Sequence, residues 1–320
     1  MTTVTHDTTG RRGSRTASGL AFAMVSATTF ALSGPVARGL LDAGWSAGAV
    51  VLVRIAVGAL VVAPFAAVAL HGQWGLLRRN AGLVVAYGLL AVAGAQFCYF
   101  AAVSRMQVGP ALMIEYTAPA AVVGWLWLRH GQRPGLVTLL GAGVAALGLV
   151  LVLDLGSGLG LDPVGVLWAL GAMTGITAYF VLSADESNGL PPIALAGAGL
   201  VVGALLLGSL GLVGVLPMDV GGGSASYAGR AVPAWLALVV LGVVTAAVAY
   251  AAGIAAGRRL GSRLASFVAL LEVVAGVGFA WLLLDELPRA VQLLGELPNL
   301  LQLAGGAVIL AGVVTVKSGE

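Results

Sequence analysis

Residues 266–284 read SFVALLEVVAGVGFAWLLL, nineteen residues with one charge, Glu272. At about 1.5 Å per helical residue, such a run is long enough to cross a hydrocarbon core of roughly 30 Å. A carboxylate at that depth costs several kcal/mol unless it is neutral, paired or wet. The stretch therefore predicts a membrane helix carrying a group whose cost something else must repay.

The rest of the chain agrees on the solvent. Charged residues make up 9% of the 320 positions, against about 25% in ordinary soluble domains. Hydrophobic residues make up 59% and the mean hydropathy is +1.02. A soluble fold could not hide that much apolar surface, so the lipid bilayer is the expected surrounding. The 48 glycines suit helices that approach closely in lipid. Gly171–Gly175, Gly199–Gly203 and Gly253–Gly257 have GxxxG spacing and read as packing positions. Cys98 is the single cysteine, which excludes an intrachain disulfide. The net charge of +3 is scattered in short groups between apolar runs, a pattern of membrane topology rather than nucleic-acid binding.

Ten apolar segments follow one another, at about 18–40, 46–70, 81–104, 108–128, 135–153, 163–183, 193–216, 233–253, 263–284 and 300–316. The first follows Arg11, Arg12 and Arg15 and could be mistaken for a secretory signal. It lacks a convincing small-x-small cleavage site and nine more spans follow it, so it reads as a span after a tail at 1–17. With the N-terminus inside, eleven basic residues fall on the cytoplasmic side and four outside, leaving Arg54 within a span. Both termini are expected in the cytoplasm.

Residues 105–141 and 259–295 align at an offset of 154. Arg105/Arg259, Ala111/Ala265, Gly124/Gly278, Trp127/Trp281, Pro134/Pro288 and Leu-Leu-Gly at 139–141/293–295 coincide. Five spans per half force the second half upside down. The expected fold is an all-α integral membrane protein of ten transmembrane helices in two inverted five-helix repeats, 18–153 and 163–317. Such repeats mark secondary transporters whose site lies where the halves meet. LPRAVQLLGE (287–296) is followed at once by LPNLLQLAGG (297–306), and the offset beyond it becomes 164. This tandem duplication reads as a tolerated outer-loop insertion, with an external gate as the alternative.

At these residues the chain resembles the EamA type of the drug/metabolite transporter superfamily, over about 18–317. LLEVVAGVGFAWLLLDELP, with Glu272 and Glu286, and IEYTAPAAVVGWLWL, with Pro119, are similar to the family's ninth and fourth spans. Arg54 in VLVRIAVGAL resembles an arginine frequent in its second span. Val273 stands where a proline is usual, which argues against a kink in span nine, and RHGQRP lacks the acid found at 286. The resemblance implies a permease in each of whose halves five helices form a repeat.

Three charges fall within spans: Arg54, Glu115 and Glu272. They either line a polar path or pair to hold helices together. Glu272, near mid-span, is the first candidate for function. For Arg54, a structural pair with a carboxylate remains open. Glu115, nearer the outer end of its helix, suits a snorkelling or vestibule role as well as binding. Gln96, Tyr99, Tyr116, Thr117, Thr174, Thr177 and Tyr250 supply uncharged polar groups, with Thr174 and Thr177 on one helix face. This set would suit a zwitterion such as an amino acid.

His6, His71 and His130 are not placed for intramembrane metal chemistry, and HExxH, GxSxG and GxxxxGK[ST] are absent. No catalytic residue, metal or cofactor is expected. The predicted function is a secondary transporter working by alternating access, exporting a small amino-acid-like or drug-like metabolite from the cytoplasm across a bacterial plasma membrane. A proton is the candidate coupling ion, and the oligomeric state stays open. The alternative is a channel or a non-transporting scaffold; a continuous polar ring would favour a channel.

Overall fold

The computed structural model describes residues 8–131, 135–153 and 162–284, and beyond them positions 304, 307, 308, 311, 312 and 315. The tandem duplication, Glu286 and most of the tenth predicted segment lie outside these residues, apart from position 304 in the duplication.

In chain order the first half comprises α1 (Thr8–Ala31), α2 (Ser33–Asp42), α3 (Ala47–Ala69), the short α4 (Gly75–Arg79), α5 (Ala81–Ala86), a π-helix at Tyr87–Gly94, α6 (Ala95–Val103), α7 (Val108–Glu115), α8 (Ala118–His130) and α9 (Leu136–Leu153). The second half comprises α10 (Pro163–Ala184), α11 (Pro192–Leu212), a hairpin of β1 (Ser224–Tyr227) and β2 (Arg230–Pro233), α12 (Ala234–Gly242), a second π-helix at Val243–Val248, α13 (Ala249–Val268) and α14 (Leu271–Leu284). Among the described residues eight stretches are long and apolar enough to cross a membrane: Thr16–Asp42, Ala47–Ala69, Ala81–Val103, Val108–Arg129, Pro163–Ala184, Pro192–Leu212, Ala234–Ser262 and Leu264–Leu284. They match eight of the ten segments expected from sequence. The fifth segment coincides with α9, an apolar helix of 18 residues.

The connections sort to two ends. At the end that carries the start of α1, Asn80 donates to the carbonyl of Asn188 at 2.9 Å. Arg258, in the middle of α13, reaches the Leu190 carbonyl and the Asn188 side chain. There Gly261, at φ 80°, interrupts α13 and reverses the chain from the eighth span into the ninth. At the opposite end Arg38 ties α2 to the carbonyls of Val103 and Met106, and Arg105 pairs with Asp162 at 3.1 Å. That pairing and the bond from the Val164 amide hold the Asp162 carboxyl below the usual carboxylate range.

The hairpin at this second end was not expected from sequence. Its register pairs Ser224 with Pro233 and Tyr227 with Arg230. The two turn residues, Ala228 and Gly229, both have positive φ, 49° and 71°, as a right-twisted hairpin requires. Tyr227 lies against Gly39 and donates its hydroxyl to the Val36 carbonyl at 2.6 Å, and the Ala228 amide donates to the Leu283 carbonyl at 2.8 Å. The loop before it is held as firmly. Ser46, the N-cap of α3, accepts from the amides of Ala49 and Asp219 and donates to the Pro217 carbonyl.

Glycine lets the helices meet in the interior. A Cβ on Gly175 would fall 2.7 Å from the Cα of Ala95, so α10 and α6 approach at backbone distance. Gly199 and Gly203 likewise seat Tyr87 and Val92 of the first π-helix. The three GxxxG pairs are packing positions, as expected: Gly171 meets Cys98, Gly257 meets Ser183, and Gly253, packed against Tyr179, also lines a cavity.

Candidate functional site

Besides the one-residue interruption of the first span at Leu32, two membrane spans are broken in mid-course. The fourth stops at Glu115 and restarts at Ala118, with Pro119 in the first turn of α8. The ninth stops at Val268 and restarts at Leu271, and there the amides of Glu272 and Val273 bond three residues back, to Ala269 and Leu270. The interruption in span nine thus occurs without the proline that Val273 replaces, which corrects the sequence expectation: a tightened turn suffices. The breaks lie within one residue of the 154 offset. The two π-helices, at 87–94 and 243–248, overlap at the same offset.

These irregular segments assemble the polar interior. Arg54, with no exposed surface, donates from Nη1 to Oε1 of Gln96 and from Nη2 to the carbonyl of Thr245 in the second π-helix. Tyr250 donates to the carbonyl of Ala91 in the first π-helix at 3.0 Å. Ala91 and Thr245 are equivalent at the offset of 154, as are Gln96 and Tyr250. In each half, then, a π-helix offers the same carbonyl to a side chain from another helix, and wider turns of this kind recur at functional sites. The guanidinium of Arg54 also stands 5.3 Å from the Phe100 ring and 5.9 Å from the Phe30 ring. Among the described residues no carboxylate is within ion-pair distance of Arg54. The pair left open from sequence is replaced by an amide, a carbonyl and two aromatic rings.

Glu272 opens α14 and accepts a hydrogen bond from the Tyr116 hydroxyl at the other break. It lines a small cavity, about 20 Å³ as the space open to the centre of a water molecule, enough for roughly one water. Phe30, Tyr179 and Phe180 line it as well. Their rings are locked edge to face, Phe30 to Tyr179 at 6.2 Å and Tyr179 to Phe180 at 5.2 Å. The hydroxyls of Tyr179 and Ser26 occupy the space over Gly253, where a Cβ would collide with them. The cavity lies in the half of the bundle nearest the start of α1.

The remaining sequence candidates are placed as follows. Glu115 is 4% exposed at the break in span four, not at a solvent-facing helix end, so the snorkelling role does not hold. It is within electrostatic reach of Arg54 and Cys98 but does not line the cavity. Tyr99 is buried with its hydroxyl against Gly34. Thr117 donates to the Ile114 carbonyl. Thr174 is exposed and Thr177 half-buried, each donating to the carbonyl four residues back, and neither reaches the cavity. Phe30, Tyr179, Phe180 and the Thr245 carbonyl were missed. Aromatic residues in apolar spans carry no signal that separates a cavity wall from packing, and a backbone acceptor has no sequence signature.

The model of the EamA-like transporter family matches residues 17–154 and again 163–317. A solved crystal structure with 21% identity superposes with a TM-score of 0.61, covering 95% of this chain and 96% of its own, a likeness of fold. No curated protein matches the chain significantly.

Proposed function

We infer that this chain, which belongs to the EamA-like transporter family, is a secondary transporter that exports a small metabolite by alternating access. The observation that carries the reading is the matched pair of broken helices. Glu115-Tyr116 at one break and Glu272 at the other meet in mid-membrane, joined by the Tyr116–Glu272 hydrogen bond. Half-helices that meet near the midplane are the usual substrate site of inverted-repeat carriers, and one repeat rocks against the other around it.

On this reading the chain has ten spans in two inverted repeats, 18–153 and 163–317, in a bacterial plasma membrane. Both termini are cytoplasmic, at the end where Arg78, Arg79, Arg258 and Arg259 gather. The hairpin and the 213–223 loop then seal the outer end, and the cavity lies on the cytoplasmic side, as in an exporter about to load. Glu272 is the coupling group, exchanging a proton, with Tyr116 as its hydrogen-bond donor. Glu115, Arg54, Tyr179 and Tyr250 are the other titratable groups around it.

The test uses vesicles containing the purified protein and a trapped pH dye. Substrate-driven proton movement and pH-dependent uphill transport are expected of the wild type and are lost in Glu272→Gln, while substrate exchange survives. Unchanged pH dependence in a stable Glu272→Gln protein rejects the coupling role. Tags at the 72–80 loop and after Lys317 are expected inside, and one near Gly222 outside. An external C-terminus sinks the span count and the inversion together.

A further inference from the structure

The cavity beside Glu272 separates charges that the sequence lists together. Among the described residues its wall carries one charged side chain, the Glu272 carboxylate. Around it stand the rings of Phe30, Tyr116, Tyr179 and Phe180, and the remaining wall is alanine, Ile176, Ser26 and Gly253. Arg54 is not part of the wall. Both of its terminal nitrogens are engaged, by Gln96 and by the Thr245 carbonyl, and Phe30, a wall residue, packs on its guanidinium. Glu115 is also outside the wall.

We propose that this cavity takes a monovalent organic cation, a primary amine or quaternary ammonium on an apolar or aromatic body, and rejects a zwitterion or anion of the same shape. The proposal rests on the reading of the Glu272 cavity as the transport site and names its substrate class. A carboxylate desolvated among apolar groups is stabilised by a cation that it can touch. Within the described residues no cationic side chain comes within ion-pair distance of it, so a positively charged guest completes the pair. Tyr116 fixes one carboxylate oxygen by its hydrogen bond, and the aromatic wall adds attraction for a cation over a ring face. A guest that also carries a carboxylate brings an anion into a wall without a positive partner, an unpaired charge that costs affinity. The amino-acid substrate expected from residue types assumed that Arg54 faces the guest; it lies outside the wall, and its two terminal nitrogens bond Gln96 and the Thr245 carbonyl.

Size sets a second condition. The present cavity admits roughly one water, so an organic guest enters only when α1, α10 and α13 part. Ala27, Gly253 and Ala256 line the cavity where these helices meet.

The test measures thermal unfolding of the full chain in detergent, by tryptophan fluorescence, with four probes of similar body: 2-phenylethylammonium, benzyltrimethylammonium, L-phenylalanine and 3-phenylpropionate. A ligand that binds the folded state raises its melting temperature. The two cations are expected to raise it with dose, and phenylalanine and phenylpropionate to leave it unmoved. In Glu272→Gln the apparent affinity for the cations falls roughly thirtyfold or more, and Glu272→Asp keeps part of it. If Glu272→Gln does not fold, Ala27→Leu, which fills the cavity and keeps the carboxylate, must abolish the cation shift. A phenylalanine shift equal to that of the amine overturns the proposal. So does a cation shift unchanged in Glu272→Gln, or no shift by either cation at millimolar concentration. Uptake into vesicles separates the two readings. Transport of a zwitterion without cation binding rejects the cation and keeps the carrier; cation binding without transport keeps the site and rejects the carrier.

Discussion

Arg54 has no exposed surface, yet it touches no carboxylate among the described residues. Its charge is met by one amide oxygen, one backbone carbonyl, two aromatic faces and the more distant field of Glu272 and Glu115. A planar fork is suited to this division, because Nη1 and Nη2 each face their own acceptor while the plane lies near the rings. Lysine offers a single point charge in its place, so Arg54→Lys is expected to lower the melting temperature nearly as much as Arg54→Met. Gln96→Leu strands Nη1 in an apolar surrounding and is expected to cost about 1–3 kcal/mol in unfolding measurements. Since Arg54 and Glu272 are not in contact, adding Arg54→Gln to Glu272→Gln should deepen any loss of stability. Recovery in the double variant would show a pair that the geometry lacks. Arg54, Gln96 and Glu272 were legible because a polar group within an apolar span stands out. Which of them meet was not, since the Thr245 carbonyl becomes available only through the π-helix.

Among the elements, the broken helices and the hairpin show where local pattern ends and packing decides. Pro119 signals the break in span four, but span nine breaks at Ala269–Leu270 with no proline or glycine to announce it. Its only forewarning was the repeat, which sets it opposite the first break. The hairpin was hidden for another reason: its turn is Ala-Gly in place of the Asn-Gly or Asp-Gly that marks such turns. Ala228 at φ 49° bears a cost that glycine avoids. Ala228→Gly is therefore expected to stabilise the protein by about 0.5–1 kcal/mol, seen as a higher melting temperature with the amide bond to Leu283 retained. Ser46→Ala removes the cap of α3 and its two links to the 217–219 segment, and should cost about 1–2 kcal/mol. A neutral result would mean that the loop's other ties, such as the Gly222 amide to the Ala43 carbonyl, carry the closure alone.

At the scale of the whole molecule, the spans were legible because hydropathy is a sum over some twenty residues and tolerates local surprises. The repeat was legible through sparse identities, and its structural counterpart lies in paired irregularities, the breaks and the π-helices at one offset. How the hairpin end is tied together was not legible, because it depends on long-range contacts: Tyr227 on Val36, Ala228 on Leu283, Ser46 on Pro217. A carrier that alternates must undo such contacts once in each cycle. Cys98 is the single native cysteine, so a background with Cys98→Ser permits a direct test. Ala228→Cys and Leu283→Cys place thiols on the hairpin turn and near the end of α14, two residues already linked by a 2.8 Å backbone bond. Treatment with a short bifunctional thiol reagent should fasten the hairpin end. The expected outcome is loss of transport, with binding of a cavity ligand from the other end preserved, while a cleavable version of the reagent restores transport on reduction. Each single-cysteine variant should be indifferent to the reagent. Full transport with the two residues joined would place the moving parts elsewhere, and the hairpin would then be a fixed plug that stabilises spans one and nine without gating them.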